Sequence, residues 1–206
     1  MFLTYVVVVG VNYLIGSLPT AYLLVKWKTQ QDVRKMGTGN VGALNSYEVT
    51  GSRFVGLAVL LVDLMKGAFS VLLARFLSDG TFTFLGLSAL SVVVGHNYNV
   101  WLGFKGGRGL AAAAGAVLVV NWVFVAVWGA LWSVTYMLTK NIHKGNVLAI
   151  VVTPFVAAFL SEKMVDWGLL KQEDTSLFIV FGFLLCTLLF LRHLQPIREM
   201  LSGKPK

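Results

Sequence analysis

Long apolar runs alternate with short polar ones from one end of the chain to the other. Residues 2–25, 54–77, 82–98, 146–161 and 175–191 read as membrane helices, since a span needs roughly 20 predominantly apolar residues. The first run carries Asn12, Gly16, Ser17 and Pro19. That is too polar for a surface meeting only lipid, so this helix is expected to pack against others and to kink at Pro19. Residues 110–138 are too long for one ordinary span and short for two. One reading is a single tilted helix; the other is a short helix over 110–120 and a return helix over 122–139, with Asn121 as N-cap. The basic segment Lys140–Lys144 favours the inner face, and hence the out-and-back version. The pattern predicts an all-α integral membrane fold: a seven-transmembrane-helix bundle, N-terminus outside, C-terminus cytoplasmic, with one short broken helix pair at about 110–139. A single polytopic membrane domain would then cover residues 1–206.

Composition agrees. The 206 residues are 57% hydrophobic and only 13% charged, with a mean hydropathy of +0.77, which excludes an ordinary soluble core. A formal net charge of +8 raises the question of nucleic acid. The cations, however, lie between the apolar runs rather than on one basic face, so no nucleic-acid partner is expected. In the seven-span arrangement Lys26, Lys28, Arg34, Lys35, Arg53, Lys105, Arg108, Lys140, Lys144, Arg192, Arg198, Lys204 and Lys206 fall inside. Only Arg75, Lys163 and Lys171 fall outside, and Lys66 lies within a span, as the positive-inside rule requires. The first charge is Lys26, so the N-terminal run lacks the basic flank of a signal peptide and reads as a retained helix. Cys186, the sole cysteine, lies in an apolar run and supports neither a disulfide framework nor a thiolate metal site.

Candidate chemistry gathers on the predicted inner face. Phe104-Lys105-Gly106-Gly107-Arg108-Gly109 combines three glycines, two cations and the start of a helix, an arrangement suited to an anion. Gly37-Thr38-Gly39-Asn40-Val41-Gly42-Ala43-Leu44-Asn45 is a second glycine-rich turn with a hydroxyl and two amides. Asp63 and Lys66 stand three apart in the middle of a span, where an ionisable group costs about 2.5–3.5 kcal/mol. A structural ion pair is the favoured reading over direct catalysis. His96 and His193 close the third and last spans at the same predicted depth, where they would contact a phosphorylated substrate or move a proton. His143 lies on that face too, but no carboxylate set accompanies the three histidines, so no metal is expected.

Several of these stretches together resemble the bacterial acyl-phosphate:glycerol-3-phosphate acyltransferases, the PlsY family. The resemblance runs through Tyr13–Tyr22, Gly37–Asn45, the Asp63-x-x-Lys66-Gly67 motif, Gly95-His96 with Phe104–Gly109, and Arg192-His193 with Gly203, in order and over nearly the whole chain. It implies a seven-helix fold in the bacterial cytoplasmic (inner) membrane, with a cytoplasmic active face. It implies transfer of a fatty acyl group from acyl phosphate to the 1-hydroxyl of glycerol 3-phosphate, giving lysophosphatidic acid for phospholipid biosynthesis. No cofactor, metal, acyl-CoA or acyl carrier protein is implied. The expected partners are the two substrates, membrane lipids and the enzyme that makes the acyl phosphate.

Carried over residue by residue, the resemblance makes Thr38, Lys105 and His193 the catalytic candidates. Gly37, Gly39, Asn40, Asn45, His96, Gly106, Gly107, Arg108 and Gly109 become the substrate-binding ones. Thr38 stands for the family's serine and Arg108 for its second lysine. Departures are specific. Leu44 replaces a threonine, Glu48 stands where an arginine is expected, and Ala112 replaces a threonine. Gln195 and Pro196 replace a glutamate and an asparagine, and His143-Lys144-Gly145-Asn146 lacks the family's serine. Two further readings therefore stay open beside the active enzyme. One is a divergent homologue that binds a phosphorylated lipid or acyl phosphate without turning it over. The other is a small transporter, suggested by the Asp63–Lys66 pair but lacking an inverted repeat.

Overall fold

The computed structural model describes residues 2–167 and 175–202, and their regular structure is helical throughout. The expected outer charge Lys171 and the tail residues Gly203, Lys204 and Lys206 lie outside the described residues. The chain divides into two compact units, Met1–Val117 and Leu118–Lys206.

The first unit holds α1 (Phe2–Gly16), α2 (Thr20–Thr29), α3 (Ala43–Thr50), α4 (Arg53–Leu77), α5 (Phe82–Asn97) and most of α6 (Leu110–Val120). Single 3₁₀ turns at Val33–Lys35 and Val100–Leu102 shape its loops. In α4 the usual amphipathic pattern is inverted. Phe54, Leu57, Leu61, Met65, Phe69, Leu72 and Phe76 form an exposed apolar stripe, while Asp63, Lys66 and Ser70 are buried with Val55, Val59 and Val71. That is the arrangement expected when lipid is the outer solvent and polar groups must find partners inside. α1 packs closely on α5: a Cβ on Gly16 would overlap the Val92 carbonyl, and one on Gly95 the Tyr13 carbonyl. Small residues at these crossings let two backbones touch.

The expected kink at Pro19 is a full break between α1 and α2. Proline cannot donate to the helical ladder, so carbonyls near it lose their partners. Other elements supply new ones: Asn99 Nδ2 donates to the Ser17 carbonyl (2.7 Å) and Lys66 Nζ to the Leu18 carbonyl (3.4 Å). Non-helical backbone at this depth is tolerable only when protein satisfies it in this way.

The second unit contains α7 (Trp122–Thr139), α8 (Ile142–Phe159), α9 (Ser161–Trp167), α10 (Thr175–Leu191) and α11 (Leu194–Leu201). Asn121 caps α7 as expected. Its Oδ1 accepts the Phe124 N–H (3.2 Å), and its Nδ2 reaches the Met164 carbonyl (2.6 Å). Trp128, Trp132 and Tyr136 stack in register along α7.

The expected count of seven crossings is corrected. Among the described residues, four stretches are long and apolar enough to cross: Phe2–Thr29, Arg53–Leu77, Trp122–Thr139 and Ile142–Phe159. A fifth is added if α10 and α11, bent by 53° at Arg192–His193, count as one span. The missing two are α5, with 16 residues, and α6, with 11. At 1.5 Å per residue these reach only about 24 and 17 Å, against about 30 Å of hydrocarbon. Apolarity continued in the sequence where the helix did not. The expected placement of the N-terminus outside and the C-terminus on the cytoplasmic side needs an odd number of crossings, which five satisfies and four does not. Between the first two spans, the end of α2, a 3₁₀ turn and α3 occupy most of residues 26–53.

Candidate functional site

Two glycine-rich loops of the first unit lie against each other. Beneath them Ala21, Val25, Val33, Val41, Val55, Val59 and Leu102 form one buried apolar cluster, so residues from both loops share a floor with α2 and α4. Arg34 spans the two. It holds Asp32 with Nε and Nη2 and donates through Nη1 to the Leu102 carbonyl at 3.0 Å. This Arg34 hydrogen bond, helped by nearby positive charge and opposed by partial burial, lowers the Asp32 carboxyl below its ordinary range. The sequence reading passed over Arg34; the Asp-x-Arg spacing at a turn was its signal.

The first loop is wound around Asn45, which is buried. Its Oδ1 accepts the Thr38 N–H (2.9 Å), and its Nδ2 faces the carbonyls of Asn40 (2.9 Å), Met36 (3.2 Å) and Val33 (3.5 Å). Both ends of this amide are therefore engaged by the loop itself. Gly37 and Gly39 have positive φ, as the turn requires. Thr38 and Asn40 are half-buried. The Thr38 Oγ1 accepts the Asn40 N–H at 3.4 Å, which leaves its hydroxyl proton for another acceptor.

The second loop is latched onto the end of α5. The Gly106 N–H donates to the Asn97 carbonyl (3.2 Å) and the Gly107 N–H to the His96 carbonyl (3.1 Å). A Cβ on Gly106 would overlap the His96 carbonyl; one on Gly107 would overlap both His96 Nε2 and the Val41 carbonyl. These glycines are thus needed for close packing of two loops and a helix end. Their N–H groups point at protein carbonyls rather than at open space. At the start of α6, by contrast, Gly109 has φ +84° and the first ladder bond is Ala113 N–H to the Gly109 carbonyl. The N–H groups of Leu110 to Ala112 precede that bond. Lys105 is exposed and Arg108 half-buried beside this helix start.

Behind the loops, Asp63, Lys66 and His96 form a buried cluster. Lys66 Nζ lies 2.8 Å and His96 Nδ1 3.7 Å from the same carboxylate oxygen, Asp63 Oδ1. The expected intrahelical pair is present, and His96 extends it to the loops.

The other residues singled out from the sequence fall elsewhere. His193 belongs to the second unit, where it is fully buried at the start of α11 and its Nδ1 meets the Leu189 carbonyl at 2.7 Å. Pro196 is buried in the first turn of that helix, where its missing N–H removes no ladder bond. Glu48 and Arg53 are both exposed, and neither makes a salt bridge among the described residues. Leu44 is exposed, whereas Ala112 is fully buried and its carbonyl lies against Gly67.

Fold and loops together define an integral-membrane protein whose polar chemistry is collected on two clasped glycine-rich turns. The same backbone occurs in a solved structure described as PlsY (YgiH), an integral membrane glycerol 3-phosphate acyltransferase, in its glycerol 3-phosphate form. The two superpose with a TM-score of 0.81 at 26% identity, over 98% of this chain and 94% of that one. Glycerol-3-phosphate acyltransferases of Thermotoga petrophila and Ehrlichia chaffeensis are 37% and 35% identical to it. Those matches cover 93% and 96% of this chain and 90% and 93% of theirs. Residues 6–203 match the glycerol-3-phosphate acyltransferase family, and the chain belongs to it.

Proposed function

We propose that this membrane acyltransferase moves a fatty acyl group from acyl phosphate to the 1-hydroxyl of glycerol 3-phosphate. The hydroxyl oxygen forms an ester bond to the acyl carbon, and the acyl–phosphate C–O bond breaks. Lysophosphatidic acid and inorganic phosphate leave, the hydroxyl proton ending on phosphate. An acyl phosphate is already activated, so the protein has mainly to orient two anions and screen their charge. Lys105, Arg108 and the α6 start hold one phosphate; Thr38 and Asn40 contact the other phosphate or the reacting carbonyl. Each charge-assisted hydrogen bond to phosphate contributes about 1.5–3 kcal/mol, so a few suffice. The glycerol phosphate dianion is itself the base.

The observation that carries this reading is the clasp: Arg34 on Leu102, and Gly107 wedged between His96 and Val41. It keeps a hydroxyl-bearing turn and a cationic turn together. The concentration of Lys26, Lys28, Lys35, Lys105 and Arg108 on this face supports a cytoplasmic active side in a bacterial inner membrane. There the enzyme that makes the acyl phosphate has access to it. The test is purified protein in detergent with glycerol 3-phosphate and either acyl phosphate or acyl-CoA. Lysophosphatidate is expected from acyl phosphate alone, and none above a Lys105→Ala control overturns the proposal.

A further inference from the structure

We infer that Asp63 is a positioning residue for the transfer reaction: through His96 it sets the geometry of the clasped loops. The inference rests on the acyltransferase reading above. Asp63 sits inside α4, buried, with no route to a substrate held on the loops except through its neighbours. If it served only to neutralise Lys66, the 2.8 Å pair within one helix would be complete by itself. The same oxygen, however, faces His96 Nδ1 at 3.7 Å, beyond direct hydrogen-bonding distance and within ion-pair reach.

The imidazole stands where the two loops meet. Its far nitrogen, Nε2, flanks the Gly107 Cα together with the Val41 carbonyl, and the His96 carbonyl receives the Gly107 N–H. Rotation of an imidazole about its second side-chain torsion is broad and roughly two-fold, so packing alone distinguishes its two faces poorly. A carboxylate beside Nδ1 removes that ambiguity, because it favours hydrogen on Nδ1 and repels a bare ring edge. Lys66 in turn fixes the carboxylate and donates to the Leu18 carbonyl at the α1–α2 break. The resulting chain runs from Leu18 through Lys66, Asp63 and His96 to Gly107 and Val41. Its last member orients the turn that carries Lys105 and Arg108.

A purely structural pair and a positioning carboxylate respond differently when both charges are removed. Asp63→Asn and Lys66→Met are made singly and together, and melting temperature, kcat and KM for glycerol 3-phosphate are measured in detergent with acyl phosphate. Each single change strands a buried charge or its polar remnant and lowers the melting temperature. The double variant has no stranded charge and melts near the wild type. We expect its kcat to stay about tenfold or more below wild type, with KM for glycerol 3-phosphate raised as well, because the turn that carries Lys105 and Arg108 is no longer held in place. Wild-type melting together with wild-type kcat in the double variant overturns the inference. An inactive wild type instead overturns the acyltransferase reading. If the double variant does not fold, the ¹⁵N spectrum of histidine-labelled wild type decides, with His96→Asn assigning the signal. Hydrogen on Nδ1 upholds the inference, and a bare Nδ1 overturns it.

Discussion

Arg34 Nη1 donates to the Leu102 carbonyl at 3.0 Å across 68 residues of chain, while the rest of its guanidinium is held by Asp32. A lysine cannot reproduce this, because one ammonium lacks the planar fork that serves two acceptors at once. Arg34→Lys and Arg34→Ala are both expected to raise KM for glycerol 3-phosphate, by about tenfold for a loss of about 1.4 kcal/mol in loop placement. An Arg34→Lys variant with wild-type KM would show that the clasp is dispensable.

The same clasp has a pH signature. Asp32 is held below its ordinary range in the folded protein, so its contribution is present above the unfolded carboxylate range and is lost as pH falls through the depressed value. Wild-type melting temperature is therefore expected to fall more than that of Asp32→Asn on titration from pH 6 to below pH 4. Thermal melts of the two proteins side by side measure it.

The glycines divide into two kinds. Gly107→Ala drives a methyl into His96 Nε2 and the Val41 carbonyl, neither of which is the end of a long flexible chain. We expect loss of measurable activity and a clear drop in melting temperature. Gly103→Ala, four residues earlier, meets nothing within 4 Å but keeps a φ of +62°. It is expected to cost only the left-handed strain of about 1–2 kcal/mol and to remain active.

Asn45 presents a sharper contrast. Asn45→Asp replaces the donor that faces the carbonyls of Asn40, Met36 and Val33 with an acceptor, in a buried setting. Destabilisation of at least about 2 kcal/mol is expected, with kcat/KM falling in step. Unchanged stability with lost activity would return Asn45 to the role of a direct substrate contact.

Glu48 is exposed in the last turn of α3, where a negative charge meets the negative end of the helix. Glu48→Arg is expected to leave stability unchanged or raise it by about 0.3–1 kcal/mol. It should also lower KM for glycerol 3-phosphate severalfold. A constant KM would show that position 48 lies outside the field felt by the substrate.

Much of this architecture was legible in the chain. The Asn121 cap, the partnered Asp63–Lys66 pair and the break near Pro19 follow from rules about caps, buried charge and proline. The short helix α3 was missed, although Gly51, with φ +64°, is a helix-ending signal. The role of Gly106 and Gly107 was harder to read. A cradle for an anion and a seat for another backbone require the same residue, and only the carbonyls of His96 and Asn97 decide between them. The span count failed for a related reason: hydropathy reports which residues tolerate lipid, not where the helical ladder stops.

The Asp63–Lys66 pair also bears on how the chain enters the bilayer. When α4 leaves the ribosome, α5 and its His96 are still inside the exit tunnel. A solitary carboxylate and a solitary ammonium in that helix would each resist insertion by about 2.5–3.5 kcal/mol. Three residues apart, they meet on one face and can travel as a neutral couple. The spacing of the motif thus suits α4 to enter the bilayer as a neutral couple, whose charge the later segments then share.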